Sequence, residues 1–260
     1  MPLTHKAIIK NLNPATRELI PNIRIVFSVT STNDILLLEK PTQNTALFTE
    51  EQTKGRGRLD RVWISPPHTN IYFSLAWHFK KNISELSGLS LIIAIAIIRA
   101  LKSFGISHNI KIKWPNDIIY DNKKLGGILI ETTNLKSDSC LAIIGIGLNV
   151  NLENAESIDQ PWTSLKQITG KNHDRNMLAA LLLNHLCEVI TEFEKNNLTH
   201  FMSEWKNHDA LFGKKIALKI SSEIKSGIAH GINSQGALCI KTAKNTVETY
   251  QIGEVSVNYN

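Results

Sequence analysis

Five short clusters hold most of the residues in this sequence that could do chemistry. They are Ser31-Thr32-Asn33, Gln52 with the run GRGR at 55–58, KWPND at 113–117, KLGG at 124–127, and GIGLN at 145–149. The first places uncharged hydrogen-bonding groups just ahead of an apolar run, as a helix N-cap does. The second sets Arg56 and Arg58 beside Gly55 and Gly57, and Trp63 closes the stretch. Glycine permits positive φ and close backbone approach. Arginine supplies a permanently charged planar fork that suits phosphate or carboxylate. The combination reads as a loop that closes over an anion. Gly145 and Gly147 interrupt a strand-like run, which marks a place where a ligand or another backbone comes close. Singly, each cluster has a plainer reading: a cap, a basic surface loop, a turn, a bulge.

The elements that must position these clusters follow from pattern. NIRIVFSVTS (22–31), TALFTE (45–50) and NIYFSLAWHF (70–79) are rich in β-branched and aromatic residues and read as strands. STNDILLLEK opens a helix at the end of the first strand, where free N–H groups would face polar or anionic ligand atoms. Residues 84–104 read as one helix, apolar on nearly every side and therefore packed beneath a sheet. Residues 109–133 read as a strand, a break at Pro115, and a hairpin turning at DNKK, and LAIIGIGLNVNL (141–152) as a further strand. Residues 173–207 are helical in pattern. From 209 onward short strands with Gly and Asn-Ser turns suggest a small β-barrel. The expectation is an α+β protein: a mixed β-sheet packed with helices over residues 1–208, in which 1–21 form a loose lead-in, and a small barrel over 209–260.

Composition narrows the class. The chain has 260 residues, 42% hydrophobic and 20% charged, and a formal net charge of +6. That mild excess favours anionic ligands, but no block of five or more like charges occurs, which argues against a nucleic-acid tail. Three widely spaced cysteines, Cys140, Cys187 and Cys239, give neither a disulfide framework nor a zinc spacing, which fits a reducing cytoplasm. The N-terminus lacks a signal-peptide core, and the run LSLIIAIAII is too short to span a bilayer. No association with a membrane is expected.

Taken together, in this order and spacing, KWPND, KLGGILIE and GIGLNVN resemble the biotin–protein ligases, over residues 22–258. The resemblance implies a class II aminoacyl-tRNA synthetase-like catalytic domain with an SH3-like barrel. It also implies a reaction in which biotin and Mg-ATP give biotinyl-5′-adenylate, whose acyl group then passes to one lysine of a biotin carboxyl carrier protein. Biotin would be substrate, with ATP and Mg²⁺ as co-substrate and cofactor. On this reading Ser31, Thr32, Asn33 and Gln52 serve the ureido head, while Gly55, Gly127 and Gly145 sit against biotin. Gly145 and Gly147 would let the bicycle lie on bare backbone. Arg56 and Arg58 would neutralise the biotin carboxylate and α-phosphate. Lys124 would be the fixed cation at the acyl-phosphate. Lys113, Asn116 and Asn149 would face the nucleotide. Asp117 would orient the incoming amine or relay its proton, and two alternatives stay open for it: a Mg²⁺ ligand, or a plain turn residue. Trp63 and Trp162 either wall the biotin and adenine pockets or are core tryptophans. The metal ligands are unassigned.

Residues 1–21 leave no room for the DNA-binding domain many bacterial relatives carry, so the single-function form without specific DNA binding is expected, with a homodimer left open. Asp60 lies inside a stretch often more basic in relatives, and the C-terminal GEVSVNYN lacks a basic residue some of them show. Two rivals are a lipoate–protein ligase, which shares the chemistry without KWPND–KLGG, and a nucleic-acid-binding module. The second lacks the aromatic residues interleaved with basic ones that base stacking needs.

Overall fold

The computed structural model describes residues 1–136 and 138–257. In chain order the elements are α1 (His5–Lys10), α2 (Pro14–Leu19), β1 (Asn22–Val29), α3 (Thr32–Glu39), β2 (Thr45–Gln52), β3 (Ile71–Phe79), α4 (Leu89–Ser103), β4 (Lys111–Lys113), β5 (Asp117–Tyr120), β6 (Lys123–Lys136) and β7 (Ser139–Leu148). There follow α5 (Leu165–Thr169), α6 (Arg175–Asn196), α7 (Met202–His208), β8 (Lys215–Ile220), β9 (Glu223–Ile232), β10 (Leu238–Lys241), β11 (Val247–Tyr250) and β12 (Glu254–Val257).

A seven-stranded sheet runs in the order β1-β2-β3-β7-β6-β5-β4. Only β1 and β2 pair in parallel; the other neighbours are antiparallel. The central strands are covered on both faces. Phe73 and Ile144 join α4 and α6 in the main core, while Leu36 of α3 packs on Leu47, Ala76 and Ile143 on the opposite face. Ile92, Ile93 and Ile95 of α4 have no exposed surface. Truncating one of them to alanine would cost about 2–5 kcal/mol.

The helix expected over 84–104 is broken. A 3-10 turn at Ile83–Leu86 precedes α4, and Gly88, at φ 83°, lies between them. A Cβ there would collide with Leu198, so both the conformation and the packing require glycine. Among the described residues no helix is long and apolar enough to cross a membrane.

The lead-in over 1–21 is not loose. Leu3, Ile8, Leu12 and Ile20 are buried in the main core. Leu3 N–H donates to Glu50 Oε1 at 2.6 Å, and Arg175 Nη2 donates to the Met1 carbonyl at 2.8 Å. Arg175 and Glu50 form an ion pair at 2.7 Å with side chains only 1% and 4% exposed. Two six-residue helices are too short to display a period, which is why pattern alone misses them.

The second sheet is antiparallel, in the order β11-β10-β9-β8-β12. Ile216, Leu218 and Ile240 join its interior to the main core. Trp114 Nε1 donates to the Gly236 carbonyl at 2.9 Å, tying the KWPND segment to this sheet. That contact, and Glu254 at the start of β12, bring the second sheet to the rim of the cleft described next.

Candidate active site

The cleft opens where α3 begins, beside β6 and β7, and its floor is polar but uncharged. Ser31 caps α3, its Oγ accepting from Asp34 N–H at 3.4 Å. Thr32 and Asn33 are buried. Gln52 Oε1 accepts from both the N–H and the hydroxyl of Thr32, at 3.0 and 3.2 Å. Ser74 Oγ lies 2.7 Å from Thr32 Oγ1 and 2.5 Å from Asn33 Oδ1, so its one proton serves one of two acceptors. Hydroxyls that can reverse their donor and acceptor roles suit a neutral head group offering both. Ser74 and Glu131, which holds Asn33 Nδ2 at 2.8 Å, were not singled out from sequence. Ser74 lies inside an apolar strand with nothing to mark it, whereas Glu131 ends the KLGGILIE motif.

The arginine-rich loop folds back on itself. Trp63 N–H donates to the Gly55 carbonyl at 2.9 Å and Gly57 N–H to the Arg61 carbonyl at 2.7 Å. Its left-handed residues are Leu59 (φ 54°) and Asp60 (φ 57°), not the glycines. Gly55 is required for a different reason: a Cβ there would strike the Trp63 carbonyl and Ser65. Its surroundings are the loop's own return and the Gln52 amide. Gly145 and Gly147 line the cleft, and each is also closely packed by a side chain. A Cβ on Gly145 would meet the Asn33 amide, and one on Gly147 would meet the Trp63 indole. Gly127 lies under the same indole and the Lys124 stem.

Arg56 is not a free anion clamp. Its Nη2 lies 2.5 Å from Asp34 Oδ1 and 2.9 Å from Glu131 Oε2. Burial works against its charge, but hydrogen bonds to Glu131 and Asp34 outweigh that and raise its pKa. Arg58 differs. Its Nη1 donates to Asn116 Oδ1 at 3.3 Å, and among the described residues no carboxylate lies within ion-pair distance of it. Burial lowers its pKa, and it stays charged at any physiological pH. Asn116 in turn donates to the Ile128 carbonyl at 2.7 Å and so fixes Arg58 against β6.

Lys124 and Asp117 occupy the centre of the cleft. Lys124 Nζ lies 2.8 Å from Asp117 Oδ1, but off the line a hydrogen bond needs, so that oxygen is buried without a hydrogen-bond donor. The Lys124 ammonium also sits 5.4 Å from the Trp63 ring centroid. Lys113 lines the same cleft; burial, with Lys124 and Arg61 nearby, lowers its pKa. A line of cations around one carboxylate suits the stabilisation of growing phosphate and carboxylate charge.

A second recess adjoins the first across Trp63 and Lys124, and Asn149 and Trp162 line it. Asn149 is a strut as well: its Oδ1 accepts from Asn70 at 3.3 Å and its Nδ2 donates to the Thr163 carbonyl at 3.0 Å. Its side chain is thereby occupied, which leaves it a positioning part in any nucleotide contact. Trp63 Nε1 is buried and has no partner. The structure thus brings Ser31, Thr32, Asn33, Gln52, Arg56, Arg58, Trp63, Lys113, Asn116, Asp117, Lys124, Gly127 and Gly145 to one cleft, with Asn149 and Trp162 in the recess next to it.

A cleft that joins a neutral polar floor to a cationic centre and an aromatic-sided recess defines a protein that joins an organic acid to a nucleotide. A model of the biotin/lipoate A/B protein ligase family matches residues 24–149, and one of the biotin protein ligase C-terminal domain matches 211–257. The bifunctional ligase/repressor BirA of Salmonella typhimurium is 34% identical over 240 residues, covering 91% of this chain and 74% of that protein. A biotin protein ligase from Aquifex aeolicus, solved with biotin and ATP, superposes with a TM-score of 0.78 at 30% identity, covering 91% of this chain and 98% of that one. The Leishmania major enzyme, solved with biotinyl-5-AMP, gives 0.62 at 28% identity, with 88% and 98% covered. The chain belongs to the biotin protein ligase family.

Proposed function

We propose that this protein activates biotin with ATP to biotinyl-5′-adenylate and transfers the acyl group to a lysine of a biotin carboxyl carrier protein. The observation that carries this reading is the junction of the two cavities at Lys124. The cleft with the neutral floor would take the ureido head and the tail carboxylate, and the recess beside Trp63 and Trp162 would take the adenosine. The two reacting groups then meet at one ammonium.

In the first step a carboxylate oxygen bonds to the α-phosphorus while the bond to the β-phosphate oxygen breaks and pyrophosphate leaves. Lys124 and Arg58 offset the repulsion between the two anions as they approach, and they stay in place as charge grows. In the second step the lysine amine bonds to the acyl carbon and AMP leaves. Asp117, half-buried beside the centre, orients that amine and receives its proton. Residues 1–208 form the catalytic unit. The smaller domain, taken as 209–260 with 258–260 outside the described residues, reaches the loop through the ion pair between Glu254 and Arg61.

Among the described residues no group of three or more His, Cys, Asp or Glu side chains could cage a metal. Asp117 Oδ1 nevertheless fits Mg²⁺, an ion usually held by one or two carboxylates while phosphate and water supply its other oxygens. Such an ion would neutralise charge on the leaving pyrophosphate.

The test is pyrophosphate release from ATP with biotin, lipoate or octanoate, followed by labelling of a purified carrier domain. Release with biotin and transfer to the carrier are expected. Release with lipoate in preference to biotin would overturn the assignment.

A further inference from the structure

Arg56 holds three contacts that the proposed chemistry does not use. It stands at the start of the 53–63 loop, while its carboxylate partners lie on two different walls of the cleft. Asp34 is in the first turn of α3, where the helix dipole favours a negative charge. Glu131 is on β6 and offers both oxygens, at 3.0 and 2.9 Å. Its Oε2 also accepts from Asn33, so one carboxylate grips the loop and the cleft floor together. Two carboxylates already face this one guanidinium. All three contacts fall on Nη2, while Nε is buried without a hydrogen-bond partner.

We propose that Asp34 and Glu131 are positioning residues that act through Arg56 as a clasp, holding the 53–63 loop closed over the activated acid. The arrangement has the strength a clasp should have. Arg56 is 36% exposed, so water screens the pairs and lets the loop reopen after each turnover. The link from Glu131 to Asn33 adds a connection to the bound acid: a ligand that settles Asn33 also settles the carboxylate that holds the loop. The inference rests on the biotin-activating reading for its ligand, while the ion pairs of Arg56 lie within the protein itself.

Two measurements test it, on Asp34→Asn/Glu131→Gln and on Arg56→Gln. The first needs no ligand: trypsin cleavage after Lys54, Arg58 or Arg61, the basic residues of the loop apart from Arg56 itself. Loss of either side of the clasp should speed cleavage about tenfold, because proteolysis follows the population of the open loop. The second is the lifetime of bound biotinyl-adenylate in the absence of carrier. It should shorten by about ten- to hundredfold in both variants, with the Michaelis constant for biotin raised more than the turnover number is lowered. A purely structural fault would instead lower the melting temperature and the amount of active enzyme without changing the lifetime on the molecules that remain. If the double variant does not fold, Glu131→Gln alone is measured, and it should shorten the lifetime in the same direction. Loop cleavage and adenylate lifetime at wild-type values in the carboxylate variants would overturn the proposal. So would a shortened lifetime in Arg56→Gln alone, since Arg56 would then be acting on the ligand directly. Failure of the wild type to make adenylate would sink the ligase reading and leave the cleavage test standing.

Discussion

Lys124 Nζ and Asp117 Oδ1 lie 2.8 Å apart, and among the described residues neither has another ion-pair partner. The cation that would meet the acyl-phosphate on the proposed reading is thus balanced by a carboxylate of the protein. An incoming triphosphate competes with Asp117 for Lys124. On the proposed reading, Lys124 shared with the phosphate would leave Asp117 a better acceptor for the proton of an amine. One ion pair would then couple the two proposed half-reactions.

Lys124→Ala should slow adenylate formation by about 3 kcal/mol of barrier, roughly a hundredfold, for the loss of one preorganised charge contact. Asp117→Asn should slow transfer to the carrier more than it slows adenylation. Single-turnover measurement of each half-reaction separates the two. Equal slowing of both steps by Asp117→Asn would contradict a role in handling the amine.

On the proposed reading Arg58, which has no carboxylate partner among the described residues, meets the ligand, and its loss should matter most for keeping the intermediate. Removing one charged hydrogen bond weakens retention by about 1.5–3 kcal/mol. If this falls on dissociation, escape becomes roughly ten- to hundredfold faster. Free adenylate acylates exposed lysines, so Arg58→Gly should biotinylate an unrelated lysine-rich protein that wild type leaves unlabelled. A streptavidin blot after incubation with biotin and ATP reads this. An unlabelled bystander, with adenylate still made, would remove Arg58 from retention.

The loop tip makes a prediction of its own. Leu59, 67% exposed, holds φ 54°, a left-handed conformation that costs an L residue with a bulky side chain about 1–2 kcal/mol. At that exposure its side chain gains little burial to offset the strain. Leu59→Asn, which tolerates this region and suits tight turns, should recover part of the cost. The loop should then resist protease longer and the adenylate should leave more slowly. Faster cleavage in Leu59→Asn would mean that the leucine makes a contact worth more than the strain.

The strand and helix order of the catalytic unit was legible because most of its segments are long and strongly patterned. The clusters that meet in the cleft were legible because they fall at element ends. What the sequence hid is which neighbour satisfies which group. Arg56 and Arg58 look equivalent two residues apart, yet one faces Asp34 and Glu131 and the other does not. Gly145 and Gly147 advertise close approach, and the partner turned out to be Asn33 and Trp63. Such pairings depend on strands far apart in the chain, and no local pattern encodes them. The docking of residues 1–20 escaped for a related reason: its anchor, Glu50 with Arg175, joins positions 125 residues apart.

That anchor gives the clearest pH dependence. Burial alone would raise the Glu50 pKa, but the hydrogen bonds from Arg175 and the Leu3 N–H, with the Arg175 charge, outweigh it and leave the carboxyl below its ordinary value. A carboxyl held lower in the folded state stabilises that state fully above its unfolded pKa of about 4.3, and the stabilisation is lost as pH falls through the lower folded value. Glu50→Gln strands a buried guanidinium and should cost about 3–5 kcal/mol at pH 7. Below pH ~4.3 the gap between wild type and Glu50→Gln should narrow, because protonated glutamic acid resembles glutamine. Urea unfolding of both proteins at stepped pH measures it. A gap that stays constant down to pH ~3 would show that another group carries the acid sensitivity of the docked N-terminal segment.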